Sequence, residues 1–287
     1  MKCKSCSKTA ISDKYCEEHF IKYFENTVKK TIKDYNLFSK KDKICVAASG
    51  GKDSMALLYL LHKLNYDVNA LALDEGIENY RDKSLEFLKK FCKKNKIKLR
   101  IYSYKKEVGS TVDKLSKKYS PACNICGTFR RHLLDKYSKG FDKVVTGHNL
   151  DDESQAVLMN LLKAQTAIFS RQGPLTKKMK GFVQKAKPFY FLKEKEVMIY
   201  AFLHNLTDEY EECPYAHLSF RAHVRDLLNA YESKNPGTKL NIVKKYLFLK
   251  NDVNKDEKVG VCSVCKSPCS GNICKACRYK KEINRSL

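Results

Sequence analysis

A stretch of six residues near position 50 combines two glycines, one lysine, one aspartate and two serines, a composition suited to binding phosphate. Glycine allows a tight turn and a close approach of the backbone to a ligand. Serine hydroxyls, the free N–H groups of a helix start and a lysine charge can surround an anion with donors. The Walker A pattern requires a longer spacing between its glycines, which argues against an ordinary P-loop NTPase. The six candidate residues are Ser49, Gly50, Gly51, Lys52, Asp53 and Ser54.

Cysteine and histidine pairs at both ends of the sequence have the spacing of zinc ligands. Each set offers four ligands in a segment too short to bury a core of its own, so a closed tetrahedral zinc site would replace that core. We therefore expect two structural zinc ions. A shifted ligand set that includes Cys269 stays open for the second site. The expected ligands are Cys3, Cys6, Cys16 and His19 at one end, and Cys262, Cys265, Cys274 and Cys277 at the other.

A third cysteine pair, Cys123 and Cys126, lies in the middle of the sequence, ahead of a predicted helix, without a local partner. Such a pair is either redox-active or half of a metal site. The unassigned cysteine beside a proline is far downstream, at Cys213. Three thiolates suit a cubane iron–sulfur cluster with one iron left open, whereas zinc would need a fourth ligand from His217 or His148. The spacing leaves both alternatives open.

Acidic residues follow two predicted strands, where the ligands of a parallel sheet bind. Asp74 ends one strand and could bind a ribose or Mg²⁺, or could only form a turn. After the other strand, Gly147 would let an adenine or phosphate approach the backbone, and His148 follows it. Asp151 and Asp152 could bind Mg²⁺ or transfer protons, although one of the pair is expected only to cap a helix.

Apolar segments on either side of these residues predict the elements that position them. Residues 44–48, 68–73, 99–102 and 144–145 read as buried strands, and helical patterns lie between them. Such alternation predicts βαβ units and a doubly wound parallel sheet, an α/β fold. Residues 171–250 read as a basic helical extension, in which Arg221 and Arg225 share a helix face that could bind phosphates. The charged stretch 251–258 reads as a linker.

The composition favours a polyanionic partner. The 287 residues carry 56 Lys+Arg against 32 Asp+Glu, which gives a net charge of +24. A basic tail with Tyr279, Lys280, Lys281 and Arg285 is a mixture suited to RNA. No long apolar run or signal core is present, so we expect a cytoplasmic protein without a membrane segment. In that reducing compartment 13 cysteines favour metal binding over disulfides.

The motif Ser-Gly-Gly-Lys-Asp-Ser resembles the PP-loop of ATP pyrophosphatases, whose domain is of the HUP-like type. With the three cysteine motifs and Gly-His-Asn-x-Asp-Asp-Glu, nearly the whole chain resembles the TtuA-type tRNA 2-thiouridine synthetases, including the archaeal NcsA proteins. The resemblance implies a zinc module at 1–25, a catalytic domain at 26–250 with its extension from about 171, and a second zinc module at 251–287.

The same resemblance implies that ATP and Mg²⁺ activate the C2 carbonyl oxygen of a tRNA uridine, after which sulfur attacks and AMP leaves. The expected target is wobble position 34, and position 54 is also served by the family. It further implies a [4Fe–4S] cluster on the three central cysteines, a homodimer, and free sulfide or a thiocarboxylated ubiquitin-like protein as sulfur donor. Catalysis would involve Lys52, Asp53, Asp151, Asp152 and Arg130. Some relatives carry a lysine where Arg130 stands, and Arg can stabilise phosphate charge but does not readily donate a proton.

Two other functions compete with thiolation. One is a zinc-ribbon RNA-binding protein with a vestigial nucleotide site, which would bind RNA without releasing pyrophosphate. The other is a PP-loop amidotransferase on a small carboxylate, which would turn over ATP without tRNA.

Overall fold

A computed structural model describes residues 2–206, 212–250 and 260–285. In these ranges seven strands are present: β1 (Ile44–Ala47), β2 (Val68–Asp74), β3 (Lys98–Ser103), β4 (Lys143–Val145), β5 (Gln184–Ala186), β6 (Gly260–Val261) and β7 (Pro268–Cys269). The α-helices are α1 (Glu17–Asp34), α2 (Lys52–Lys63), α3 (Arg81–Lys94), α4 (Tyr104–Val108), α5 (Val112–Ser116), α6 (Ala122–Tyr137), α7 (Leu150–Leu162), α8 (Thr166–Phe169), α9 (Glu194–Leu203), α10 (Phe220–Lys234), α11 (Thr238–Leu249) and α12 (Lys275–Asn284).

Five parallel strands form the central sheet in the order β3-β2-β1-β4-β5. Because β1 lies in the middle and the chain proceeds outward on both sides, the topological switch point is between β1 and β4. The phosphate loop follows β1 and the Gly-His-Asn segment follows β4, so both lie at that point. The predicted doubly wound α/β fold is confirmed.

The two faces of the sheet bury separate apolar cores. Ile44 and Val46 of β1 pack with α1, α2, α3 and α9, whereas Cys45 between them packs with α4, α5, α6 and α12. This alternation follows from the period of two residues in a strand. The second core is important for the site, because it surrounds the helix α6 that carries Cys123 and Cys126.

The sequence-based division of the chain needs one correction. The segment 171–250, expected to be a helical extension, contributes β5 to the central sheet, where Lys185 pairs with Val144. The predicted linker 251–258 lies outside the described residues. In the ranges that the structure describes, no helix is both long and apolar enough to cross a membrane.

Candidate functional site

The phosphate loop connects β1 to α2 and is closed by the hydroxyl of Ser54. The backbone N–H groups of Ser49 and Gly50 donate to Ser54 Oγ at 3.0 and 3.1 Å, and Gly51 is the N-cap of α2. Gly50 has a φ of +82°, and a Cβ built there would lie 2.2 Å from the carbonyl oxygen of Ser84. A side chain therefore cannot be accommodated at position 50, both for conformational and for steric reasons.

Lys52 is buried and neutralised by two carboxylates. Its Nζ lies 3.1 Å from Asp53 Oδ2 and 2.9 Å from Glu194 Oε1. Asp53 also accepts a hydrogen bond from Asn149 Nδ2 at 3.2 Å, and burial raises the pKa of its carboxyl. Glu194, the first residue of α9, had no sequence signal that linked it to the loop. The arrangement joins α2, α7 and α9 at the switch point.

Gly147 permits a close approach by protein backbone. A Cβ at this position would lie 2.8 Å from the backbone carbonyl carbon and oxygen of Asp53. From the sequence we expected Gly147 to let an adenine or phosphate approach the backbone; in the structure the backbone of Asp53, in the first turn of α2, makes this close approach. The neighbouring His148 is exposed, and its Nδ1 lies 2.8 Å from Thr146 Oγ1.

Asp152 caps α7, as expected for one of the two aspartates. Its carboxylate accepts the Asn149 N–H at 3.2 Å, and its own N–H donates to Asn149 Oδ1 at 3.1 Å. Arg221 Nη1 adds an ion pair with Asp152 at 3.2 Å. The cap therefore also holds α10 against the start of α7.

Asp151 anchors two other helices. Its Oδ2 accepts the N–H of Glu194 at 2.8 Å, and its Oδ1 forms an ion pair with Lys239 of α11. Both carboxylate oxygens thus have protein partners. Lys239 lies 88 positions away in the sequence, so sequence reasoning missed this partner.

The pair Arg221 and Arg225 does not form the free cationic face that the sequence suggested. Arg221 contacts Asp152 and Gln155, and Arg225 Nη1 forms an ion pair with Glu212. Their charges serve contacts within the protein. Any phosphate-binding role would have to compete with these partners.

Cys123 and Cys126 lie in the first turns of α6, and the expectation that they precede the helix is wrong. Cys213 is next to them, because its turn packs on α6: Cys123 Sγ lies 3.3 Å from the carbonyl oxygen of Tyr215. Burial raises the pKa of all three thiols, and the charge of Arg130 opposes this effect. The structure thus brings together the remote cysteines that the sequence analysis grouped.

The spacing of these three thiols differs from that of the terminal sites. In the described part of the chain, only the two terminal sets place three or more ligand atoms within 4.8 Å of one another. Tetrahedral zinc with Zn–S bonds of about 2.3 Å needs sulfurs about 3.8 Å apart. Neither His148 nor His217 joins Cys123, Cys126 and Cys213 in such a group. At least one of the three sulfur–sulfur distances therefore exceeds 4.8 Å, which is too far for a single zinc ion and is compatible with a cluster of several metal atoms.

Arg130 is connected to the phosphate loop through two residues that sequence reasoning missed. Its Nη2 lies 3.6 Å from Cys126 Sγ and 3.1 Å from Glu75 Oε1, and the Glu75 carboxylate raises the pKa of the guanidinium. The other Glu75 oxygen lies 2.6 Å from Arg81 Nε. Arg81 Nη1 in turn donates to the carbonyl oxygen of Ser49.

Asp74 forms a turn at the end of β2, where its Oδ1 accepts the N–H of Gly76 at 2.9 Å. It also lines an open cavity of about 490 Å³ with Asp82, Lys105 and Asp113. The turn-forming alternative is thus supported by a direct contact. A ligand contact of Asp74 stays a prediction.

Both terminal ligand sets are assembled as expected. Cys3, Cys6, Cys16 and His19 have all their ligand atoms within 4.8 Å of one another, and so do Cys262, Cys265, Cys274 and Cys277. Cys269 is outside the second set, and its Sγ contacts the carbonyl oxygen of Gly271 instead. The geometry therefore favours the ligand set without Cys269.

The expected basic tail is the helix α12, and it packs on the protein. Ala276 and Ile283 are buried in the core that surrounds α6. The ring of Tyr279 lies 6.1 Å from that of Phe129 and 5.5 Å from that of Tyr119. Tyr279 is consequently a packing residue in this structure, so its availability for stacking on RNA bases is reduced.

Comparisons with known proteins agree with this geometry. The PP-loop domain family matches residues 18–231. A tRNA-5-methyluridine(54) 2-sulfurtransferase of Pyrococcus horikoshii is 41% identical over 99% of this chain and 96% of its own length. Cytoplasmic tRNA 2-thiolation protein 1 of Oryza sativa subsp. japonica is 36% identical over 96% of this chain and 79% of its own. The structure of the U34-tRNA thiolase NcsA of Methanococcus maripaludis, solved with its [4Fe-4S] cluster, superimposes with a TM-score of 0.85, 32% identity, and coverage of 99% and 96%.

Proposed function

The chain belongs to the PP-loop family of TtuA/NcsA-type tRNA 2-sulfurtransferases, and we propose that it thiolates a uridine of tRNA with consumption of ATP. One observation carries the proposal. The phosphate loop and the three central cysteines are joined by a continuous chain of contacts, from the Ser49 carbonyl through Arg81, Glu75 and Arg130 to Cys126. A reaction that uses the nucleotide and the cysteine site together requires such a connection, whereas an RNA-binding protein with a vestigial nucleotide site does not.

The first step that we propose is adenylation of the C2 carbonyl oxygen of the uridine, with release of pyrophosphate. Oxygen leaves a carbon poorly as oxide, but it leaves well as part of AMP when the developing charge is stabilised. The N-terminus of α2 and Lys52 supply that stabilisation. Asp53 and Glu194 lie on either side of Lys52, and their carboxylate oxygens are the ligands that Mg²⁺ prefers.

The second step is attack by sulfide sulfur on the activated C2 carbon, in which the new C–S bond replaces the C2–O bond and the oxygen leaves as part of AMP. The residues that would hold a [4Fe–4S] cluster are Cys123, Cys126 and Cys213, whose wide spacing fits the group. Such a cluster leaves one iron without a protein thiolate and, when bound, supplies a position for exogenous sulfide. Arg130, at 3.6 Å from Cys126, is a positive charge at the cysteine site, and we propose that it stabilises the phosphate of the departing AMP.

The position of the uridine distinguishes two candidates. The thiolase NcsA, whose structure superimposes on 99% of this chain, is named for position 34. Position 34 therefore stays our proposal. The relative from Pyrococcus horikoshii is named for position 54, which makes position 54 the second candidate. Mass analysis of tRNA nucleosides from a deletion strain, with the thiolated position mapped, distinguishes them.

Lys52→Ala tests the function directly. It should abolish thiolation and leave the metal content unchanged, because the partners described for Lys52 are Asp53 and Glu194, and neither belongs to a cysteine set. ATP turnover by the wild type without tRNA would favour the amidotransferase. RNA binding without pyrophosphate release would favour the simple RNA-binding protein. A fully active Lys52→Ala variant would contradict the assignment.

Metal analysis tests the cofactors. Protein prepared without oxygen should be brown and carry about four iron and about two zinc atoms per chain. Alanine at Cys123, Cys126 or Cys213 should remove the iron and the activity, whereas His217→Ala should retain both. Full thiolation by iron-free, zinc-loaded protein would contradict the cluster, and absence of zinc would contradict the terminal sites.

The remaining partners rest on the family. The substrate is tRNA, and its phosphates suit a chain with a net charge of +24. We propose a homodimer, with free sulfide or a thiocarboxylated ubiquitin-like protein as sulfur donor. The plant relative is called cytoplasmic, and we propose the same compartment, where 13 cysteines stay reduced.

A further inference from the structure

Two residues connect the phosphate loop to the cysteine site although they belong to neither. Arg81 and Glu75 are neither in the phosphate loop nor among the cysteines, yet their side chains bridge Ser49 and Arg130. We propose that Glu75 and Arg81 are positioning residues, which fix the guanidinium of Arg130 beside Cys126 at a set place relative to the phosphate loop. This inference rests on the proposed function, since it assigns a use to Arg130 in that reaction.

The exposure of the three side chains shows which of them are immobilised by packing and which one depends on an ion pair for its position. The side chains of Glu75 and Arg81 are only 6% and 4% exposed, whereas that of Arg130 is 57% exposed. Packing therefore immobilises the first two but not Arg130. What holds Arg130 is its ion pair with the buried carboxylate at 3.1 Å. A charge-assisted contact to a rigid acceptor restricts a guanidinium far more than contact with solvent does.

The backbone around Glu75 supports the same conclusion. Its carbonyl oxygen accepts the N–H of Val112 at 2.8 Å, which ties it to the start of α5. Arg81 Nε donates to the carbonyl oxygen of Leu73 at 2.9 Å, so the guanidinium is fixed on the end of β2 as well as on the loop. The two residues form a rigid support between the phosphate loop after β1 and the middle of α6.

The two substitutions should have different effects. Glu75→Gln keeps the size of the side chain but removes the charge that holds Arg130, while Arg81 retains its carbonyl acceptors. It should lower kcat for thiolation about tenfold with KM for ATP unchanged, as expected for a contact made in the transition state. Arg81→Lys loses the planar fork that reaches Ser49 and should also raise KM for ATP.

The position of Arg130 can be measured without turnover. Phenylglyoxal modifies accessible arginines, and mass spectrometry gives the rate at position 130. Glu75→Gln should raise that rate about threefold, the size expected from loss of one partly exposed ion pair. The matched control is Glu107→Gln, which removes the partner of Lys136 on the same helix and should leave Arg130 unaffected. Glu75→Asp is the second variant, because it keeps a charge for Arg81 but shortens the reach to Arg130.

A double variant decides whether Glu75 acts through Arg130. If it does, Glu75→Gln combined with Arg130→Gln should have the same kcat as Arg130→Gln alone. Multiplied losses, or an unchanged modification rate in both Glu75 variants, would overturn the proposal. A wild type that fails to thiolate tRNA would instead contradict the proposed function, and the phenylglyoxal result would still decide the positioning role.

Discussion

The ion pair between Asp151 and Lys239 gives a prediction that separates a structural from a catalytic aspartate. Lys239→Met removes the charge that faces Asp151 Oδ1, and among the described residues the N–H of Glu194 remains as a partner for the carboxylate. The Lys239 side chain is 8% exposed and that of Asp151 is 12% exposed, so water cannot readily replace the lost partner. We expect Asp151 to stabilise the junction of α7, α9 and α11.

The magnitude follows from burial. Breaking a buried ion pair by removing one partner costs about 3–5 kcal/mol. We take about 3 kcal/mol, because the Glu194 N–H still stabilises the carboxylate. For a chain of this size, each kcal/mol corresponds to about 2–4 °C in Tm. Lys239→Met should therefore lower Tm by about 6–12 °C.

The assay is thermal unfolding followed by calorimetry, with thiolation measured at a temperature well below both transitions. The control is Lys195→Met, whose ion pair with Asp13 is 67% exposed on both sides and should contribute nothing measurable. A structural Asp151 predicts a lower Tm with kcat largely retained. An unchanged Tm together with loss of thiolation would refute the reasoning and return Asp151 to the reaction.

Three further predictions follow from the same structure. Asp53→Asn should abolish thiolation but raise Tm at pH 7, because burial raises the pKa of this carboxyl above its ordinary value of 3.8, and its ionisation then opposes folding. The gain in Tm should vanish as the pH falls to 3.8 and below, where the carboxyl is protonated in the folded and the unfolded state alike. A gain in Tm that does not depend on pH would contradict this reasoning. Lys178 and Lys180 are exposed, and each that contacts a tRNA phosphate should contribute about 0.7–0.9 to the slope of log affinity against log salt concentration. Arg221→Gln should leave this slope unchanged, because Arg221 is paired with Asp152. A smaller slope for Arg221→Gln would show that this arginine binds phosphate. Tyr279→Ala should destabilise the packing of α12 by about 2 kcal/mol and reduce the hydrogen-exchange protection of α6, and full protection would contradict the contact.

The sequence predicted the elements whose signals are local. β1 and β2 are runs of buried apolar residues, and both have the predicted positions. β5 was missed because Gln184 and Lys185 give no apolar run, and only the register with β4 makes the segment a strand. The start of α6 was predicted too late, because a Cys-x-x-Cys pair after a proline is equally typical of a loop, and packing against α12 decides for the helix.

The site was predictable where residue type and spacing define it, and not where distant contacts define it. The phosphate loop and the terminal ligand sets follow from their motifs. The partners of Asp151 and Arg130 do not, because Lys239 and Glu75 lie far away in the sequence. Arg81 could not be predicted from the sequence, because its partner in the loop is the backbone carbonyl of Ser49, and a backbone contact does not depend on the identity of the side chain.

The contact between α12 and α6 also means that the core around the cysteine site is complete only after residues 275–284 have been synthesised. While the ribosome is still translating residues before 275, the nascent chain has both cysteines of α6 but lacks Ala276 and Ile283, which complete the core around them. The helix is then partly uncovered. The last side chains of the core around the three-thiol site therefore come from the segment 275–284, which also carries Cys277 of the second terminal ligand set.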